Sequence, residues 1–219
     1  MKKMVMTMAV AVASAAMMVH AEGQDMEKLK LDLPKALFAG TPATLKSANL
    51  EPARQGPRPD LMVPKGVANL SKGKTVTASD AMPVIGDKAM VTDGDKDGAD
   101  GSYVEFGPGK QWVQIDLGKS ASLYAILIWH FHSQARVYRD IVVQVSDDPD
   151  FITGIKTVFN NDHDNSSGFG AGKDKEYVDS YEGKLIDAKG VTGRYVRCYS
   201  NGSSSGDVNH YVEVEVFGK

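Results

Sequence analysis

Four carboxylates fall within eight residues in Asp93-Gly94-Asp95-Lys96-Asp97-Gly98-Ala99-Asp100. Calcium takes six to eight oxygen ligands, and alternate aspartates in a glycine-rich turn can wrap one ion. The start of this segment mimics an EF-hand loop. Position 12 of such a loop would be Val104, with Glu105 one residue late, and no flanking helices are evident. The segment is therefore not an EF-hand, and its two readings are a cation loop and a solvated acidic turn. A second concentration of polar chemistry lies in Trp129-His130-Phe131-His132-Ser133-Gln134-Ala135-Arg136-Val137-Tyr138 and in Asn160-Asn161-Asp162-His163-Asp164-Asn165-Ser166-Ser167-Gly168. Sugars present dense hydroxyls and an apolar C–H face, so a sugar site wants planar donors and acceptors beside an aromatic ring. His130, His132, Arg136, Tyr138, Asp162, His163 and Asn165 supply that chemistry.

Two other readings use the same residues. His130, His132 and His163, with Asp162 or Asp164, could hold zinc around an open position and activate water. Residues two apart on an extended chain face the same way, which would let His130 and His132 act together. Alternatively the polar loop folds over the histidine loop, and the groups simply satisfy one another. Ordinary catalytic signatures are missing: there is no Gly-x-Ser-x-Gly, no His-Glu-x-x-His and no phosphate-binding glycine loop.

These residues need a scaffold, and composition narrows it. The chain has 219 residues, 25 Lys+Arg against 28 Asp+Glu, and 42% apolar residues. A mildly acidic chain without a basic block is a poor nucleic-acid binder. The single cysteine excludes a disulfide framework and a cysteine-based zinc site. Cys198 falls on the apolar side of an expected strand and reads as a buried small hydrophobe.

Three segments are expected. Residues 1–21 carry Lys2 and Lys3, an apolar run and the small or aliphatic pair Val19-x-Ala21, the pattern of a secretory signal peptide. That places the protein outside the cell or in the periplasm and cell envelope, and no later run is long enough to span a membrane. Residues 22–66 hold six of the nine prolines and read as an extended arm. Only Met26–Leu37 could start a helix, which Pro34 would break. Leu37, Phe38, Leu50, Leu61 and Met62 are too apolar for a solvated tether, so the arm is expected to dock on the domain or to engage a protein partner. Residues 67–219 hold 18 of the 22 glycines and show strand alternation in Gln111–Leu117, Ile141–Ser146, Arg194–Ser200 and His210–Phe217. Leu123–Trp129 is almost wholly apolar, as a central strand would be. The expected fold is all-β, an antiparallel jelly-roll β-sandwich.

Six segments, in order, carry a resemblance. They are Asn69-Leu70-Ser71-x-Gly73-Lys74-x-Val76-Thr77-Ala78-Ser79, Val91-Thr92-Asp93-Gly94-Asp95, Trp112-Val113-Gln114-Ile115-Asp116-Leu117-Gly118, Gln144-Val145-Ser146-Asp147-Asp148, Gly193-Arg194-Tyr195-Val196-Arg197 and Glu213-Val214-Glu215-Val216-Phe217-Gly218. Together they resemble discoidin domains, the coagulation-factor type C fold, whose bacterial members are often family 32 carbohydrate-binding modules. The resemblance implies a galactose-binding-like jelly roll, non-catalytic, with ligand loops at one end. It also implies a structural calcium held by the Asp of an Asp-Gly turn and a Glu of the last strand, here Asp93 and Glu213. Asp95 joins them by its spacing. The segment from Phe159 to about Gly183 departs from the family by being longer and more polar. The resulting expectation is an exported, calcium-stabilised module that binds carbohydrate or a glycan-bearing surface through loops. The alternatives are a structural or protein-binding module of the envelope and a metal-dependent hydrolase.

Overall fold

The structure is a computed structural model that describes residues 25–38 and 45–219. The leader expected over 1–21 lies outside the described residues. Among the described residues eleven strands follow in order: β1 Met26–Lys28, β2 Met62–Pro64, β3 Ala68–Asn69, β4 Thr75–Ala78, β5 Val104–Phe106, β6 Gln111–Trp129, β7 Val142–Ser146, β8 Lys156–Asn160, β9 Lys184–Ser200, β10 Asn209–Tyr211 and β11 Glu213–Gly218. The only helical element among the described residues is a 3-10 turn, Lys88–Thr92. None is long and apolar enough to cross a membrane.

The two apolar runs expected as separate strands are one 19-residue strand, β6. Its first half pairs with β4 and with the end of β9; its second half pairs with β11 and with the start of β9. The register of the β6–β9 pairing breaks between Asp116 and Ala121. Both strands thus serve two layers, and the sheet closes on itself as a sandwich. The alternation read from the sequence is the inward face. Val113, Ile115, Val143, Val145, Val196, Val214 and Val216 are all fully buried in one core, joined by Ile126 and Ile128. On the outer face Asp116 meets Arg194 in a two-pronged ion pair at 2.7 and 2.8 Å, a cross-strand match that holds this register. Cys198 sits in the core and burial pushes its thiol up to about 12, so it behaves as a hydrophobe.

The arm does not start as a helix. Met26–Lys28 instead pairs antiparallel with Met62–Pro64. This hairpin lies on the sandwich, where Leu29 and Val63 are buried against Ala125, Leu127, Trp129, Val212 and Phe217. The sheet therefore has apolar side chains on both faces at its centre, which is why Leu123–Trp129 is continuously apolar. Arg58 fastens the return of the arm by donating to the carbonyls of Gly183 and Glu182 at 2.9 and 2.8 Å. Burial, with Arg54 nearby, pulls the Arg58 guanidinium down to about 10, which leaves it charged. Arg54 in turn pairs with Glu182. The arm thus docks through Leu29 and Val63, whereas Leu37 and Met62, expected to be covered, remain exposed.

Candidate functional site

Pairing registers fix which loops are neighbours. Val142 sits opposite both Tyr199 and Asn160, and Gln111 opposite Ser200. The start of β7, the end of β8 and the end of β9 therefore share one edge. The segments 130–141, 161–183 and 201–208 meet there. They enclose a cleft of about 580 Å3. From these segments Val137, Arg139, Asp140, Asn161, His163, Asp164, Ser166, Glu176 and Ser204 line it. The arm completes it with Leu45, Lys46, Ser47 and Asn49.

The cleft is held open by carboxylates that brace backbone. Asp162 is fully buried and accepts the N–H groups of Ser166 and Ser167, one on each oxygen, at 3.0 and 2.8 Å. Asp140 accepts the Ser166 hydroxyl at 2.8 Å and the Asn201 amide at 2.9 Å, which ties the three loops together. Asp164 accepts the Ser166 N–H at 2.9 Å, and that bond first, then the Ser166 hydroxyl, holds its carboxyl below the usual range. Asp140 and Asn165 both adopt left-handed backbone, at φ 52° and 61°. Aspartate and asparagine tolerate that region better than other side chains do, because their short polar groups bond locally. Asn165 bonds locally in this way, accepting the Gly170 N–H at 2.7 Å. Asp140, Asp162 and Asp164 each offer an oxygen within 4.8 Å of the others, the one such acidic group among the described residues.

Of the seven residues expected to bind ligand, His163 alone lines this cleft. Asp162 and Asn165 build the loop. Arg136 lays its guanidinium over the Phe131 ring at 4.4 Å, beside the cleft and outside its lining. His130, His132 and Tyr138 are buried, a departure from the expected open loop. Alternation ends with β6 at Trp129, so the two histidines do not act as a pair. His130 donates from Nδ1 to Asp179 at 3.1 Å and stacks on Tyr138 with 4.5 Å between ring centroids. The Tyr138 hydroxyl meets Nδ1 of His210 at 2.9 Å, and Nε2 of His210 meets Glu105 at 2.9 Å. Burial first, then Arg136 and His130, pull His210 down to about 4. It is neutral, accepting from Tyr138 and donating to Glu105. His132 belongs to the acidic loop, its Nε2 donating to the Lys96 carbonyl at 2.8 Å. Three histidines with three different surroundings do not make a zinc site. The platform is aliphatic, Leu45 and Val137, where an aromatic ring was expected.

Sequence reasoning missed Arg139, Asp140, Glu176 and the arm residues. Arg139 and Asp140 immediately precede an expected strand, a position where loop residues gather at a sheet edge. Nothing in the sequence marks Lys46 or Asn49.

The acidic loop is a second, separate centre. The Glu213 carboxylate is fully buried and accepts the Gly94 N–H at 3.1 Å through one oxygen, while Oε1 has no partner. Burial first, then the neighbouring Glu215 and Asp93 charges, push its carboxyl up to about 8. Asp93 and Asp95 are exposed and cap the N–H groups of Asp95 and Asp97 at 2.8 and 3.0 Å. Asp93, Asp95 and Glu213 do not bring three oxygens within 4.8 Å of one another, so a divalent cation here would have to draw the loop in around the partnerless Glu213 oxygen. His132 and the Ser133 hydroxyl, which donates to the Gly98 carbonyl, pin the loop to the end of β6. Gly98 has φ +63°, and a Cβ there would stand 2.8 Å from Nε2 of His132. Gly98→Ala is therefore expected to cost roughly 2 kcal/mol or more, from strained backbone and a displaced buried ring. A thermal melt matching the parent would contradict this.

The antiparallel sandwich with loops at one end is similar in fold to discoidin-like, galactose-binding domains. Residues 90–198 match the family described as "NedA-like, galactose-binding domain". Among solved structures, a family 89 glycoside hydrolase of Clostridium perfringens in complex with GlcNAc-alpha-1,4-galactose is similar at 22% identity. The match covers 69% of this chain and 14% of that one, with a TM-score of 0.51. A truncated AlyQ with CBM32 and alginate lyase domains is similar at 17% identity over 70% of this chain and 34% of that one, TM-score 0.51. The chain thus spans a minor part of both enzymes, and at these identities the likeness is one of fold. A search of curated proteins gives no match.

Proposed function

We propose that the chain is an exported, non-catalytic carbohydrate-binding module whose sugar site is the cleft at the β7–β8–β9 edge and whose fold is stabilised by calcium at the acidic loop. The observation that carries the sugar reading is the cleft itself. Arg139 and His163 bring planar polar side chains to a lining that also holds the aliphatic Leu45 and Val137, the combination polyol recognition requires. AlyQ, similar in fold, contains a CBM32 domain. The non-catalytic reading rests on the carboxylates. Asp140 and Asp162 are engaged in bracing the loops, which suits a rigid binding surface better than proton transfer.

The test is a screen of residues 22–219, in calcium, against a panel of glycans and polysaccharides. Arg139→Ala and His163→Ala are expected to weaken binding about tenfold or more while leaving the melt unchanged. His130→Ala should lower the melt, because it strands Asp179 in the interior. A folded, calcium-loaded protein that binds nothing on the panel would refute the sugar reading and favour a structural role in the envelope.

A further inference from the structure

The arm forms one wall of the cleft, and it is held there by backbone. Leu50 pairs in parallel with Glu176. The Glu51 N–H donates to the Glu176 carbonyl at 2.8 Å, and the Glu176 N–H donates to the Asn49 carbonyl at 3.1 Å. Lys184 adds an ion pair to Glu51 at 2.7 Å. This short parallel pairing fixes the register of the segment, so Lys46, Ser47 and Asn49 line the cleft in a set order. Their side chains are available. Among the described residues neither Lys46 nor Arg139, another lining residue, has an ion-pair partner, and the side-chain amide of Asn49 makes no hydrogen bond. The cleft's volume of about 580 Å3 is more than one sugar ring fills.

We propose that the arm is the second half of the binding site: Lys46 and Asn49 contact a second sugar unit, so the ligand is an oligosaccharide or a glycan chain and not a single sugar. This rests on the reading of the cleft as a carbohydrate site. The sandwich supplies the first subsite and the arm supplies selection for chain length. The extra length of the 159–183 segment has a use here, since Glu176 within it is the arm's backbone partner.

The experiment is a printed array of defined mono- to hexasaccharides, grouped by terminal sugar, probed with 22–219 and its variants in calcium. The parent should bind longer members of its preferred group better than the monosaccharide. Lys46→Ala with Asn49→Ala should bind the longer members about tenfold more weakly and the monosaccharide as before. Lys46→Met with Asn49→Leu keeps the bulk and removes the polar groups, and should behave the same way. Arg139→Ala should lose every member. Both double variants should melt as the parent does, because the bonds that anchor the segment are main-chain. An unchanged length profile in the double variants would overturn the proposal and leave the sugar site standing. Equal loss at every length would overturn it too, placing the arm at the first subsite. An array that the parent does not bind would overturn the sugar reading itself, and the subsite with it.

Discussion

A chain that begins at Gly66, without the β1–β2 hairpin, is expected to lose on the order of 5 kcal/mol of stability and to associate. Leu29 and Val63 leave the structure, and burial of each such side chain contributes about 1.5–3 kcal/mol. Their removal also uncovers Leu127, Trp129, Val212 and Phe217, which lie fully or nearly buried beneath them. A contiguous apolar patch of that kind on a monomer promotes self-association. Since a domain's total stability is about 5–15 kcal/mol, the loss is a large fraction of it. For a chain of this size it corresponds to a melting temperature lower by roughly 10–20 °C. Leu29→Ala with Val63→Ala in the full arm should reproduce much of the loss. Thermal melts followed by circular dichroism, with size-exclusion chromatography, read both effects. A truncated chain that stays monomeric and melts with the parent would show that the hairpin is an ornament.

The second large effect is expected from cation removal. If the acidic loop holds calcium, saturating calcium stabilises the folded state by about 2.7 kcal/mol at a hundredfold excess over the dissociation constant. A chelator should then lower the melting temperature by roughly 5–10 °C. The physical origin is Glu213. Its buried carboxylate has one unpartnered oxygen and is pushed up to about 8 by burial and by the Glu215 and Asp93 charges. A divalent cation supplies the missing partner and offsets the repulsion. Asp93→Ala should lower the melt in calcium and abolish the response to chelator. Glu213→Gln should also abolish the response, because it removes the carboxylate whose negative charge would hold the cation. A parent melt that is identical with and without chelator would eliminate the calcium reading.

These two expectations fall on different sides of what the sequence could show. The strands were legible because their cause is local. Val113, Ile115 and Leu117 alternate with Gln114 and Asp116, and a period of two places them on one face whatever surrounds them. The Asp93–Asp100 loop was legible for the same reason, since its carboxylates are neighbours in the chain. Cys198 could be placed inside from the strand that carries it.

The cleft was not legible, because its members meet only through strand pairing. Arg139, His163, Glu176 and Asn49 are far apart in sequence, and they converge because Val142 pairs with both Tyr199 and Asn160 while Leu50 pairs with Glu176. The histidines misled for a related reason. Composition identified His130 and His132 as chemistry-bearing side chains, but whether a side chain faces solvent or core is set by what packs over it. Here Asp179 covers one and the Lys96 carbonyl takes the other. The arm shows the same division: its apolar residues announced that something would be covered, while only the folded sandwich, with apolar side chains on both faces of β6, decided what. Periodicity, turn chemistry and clustered charge act within a few residues and can be read in order along the chain. Burial, partner choice and the shape of a cleft depend on contacts between distant segments, which exist only once the sheet has closed.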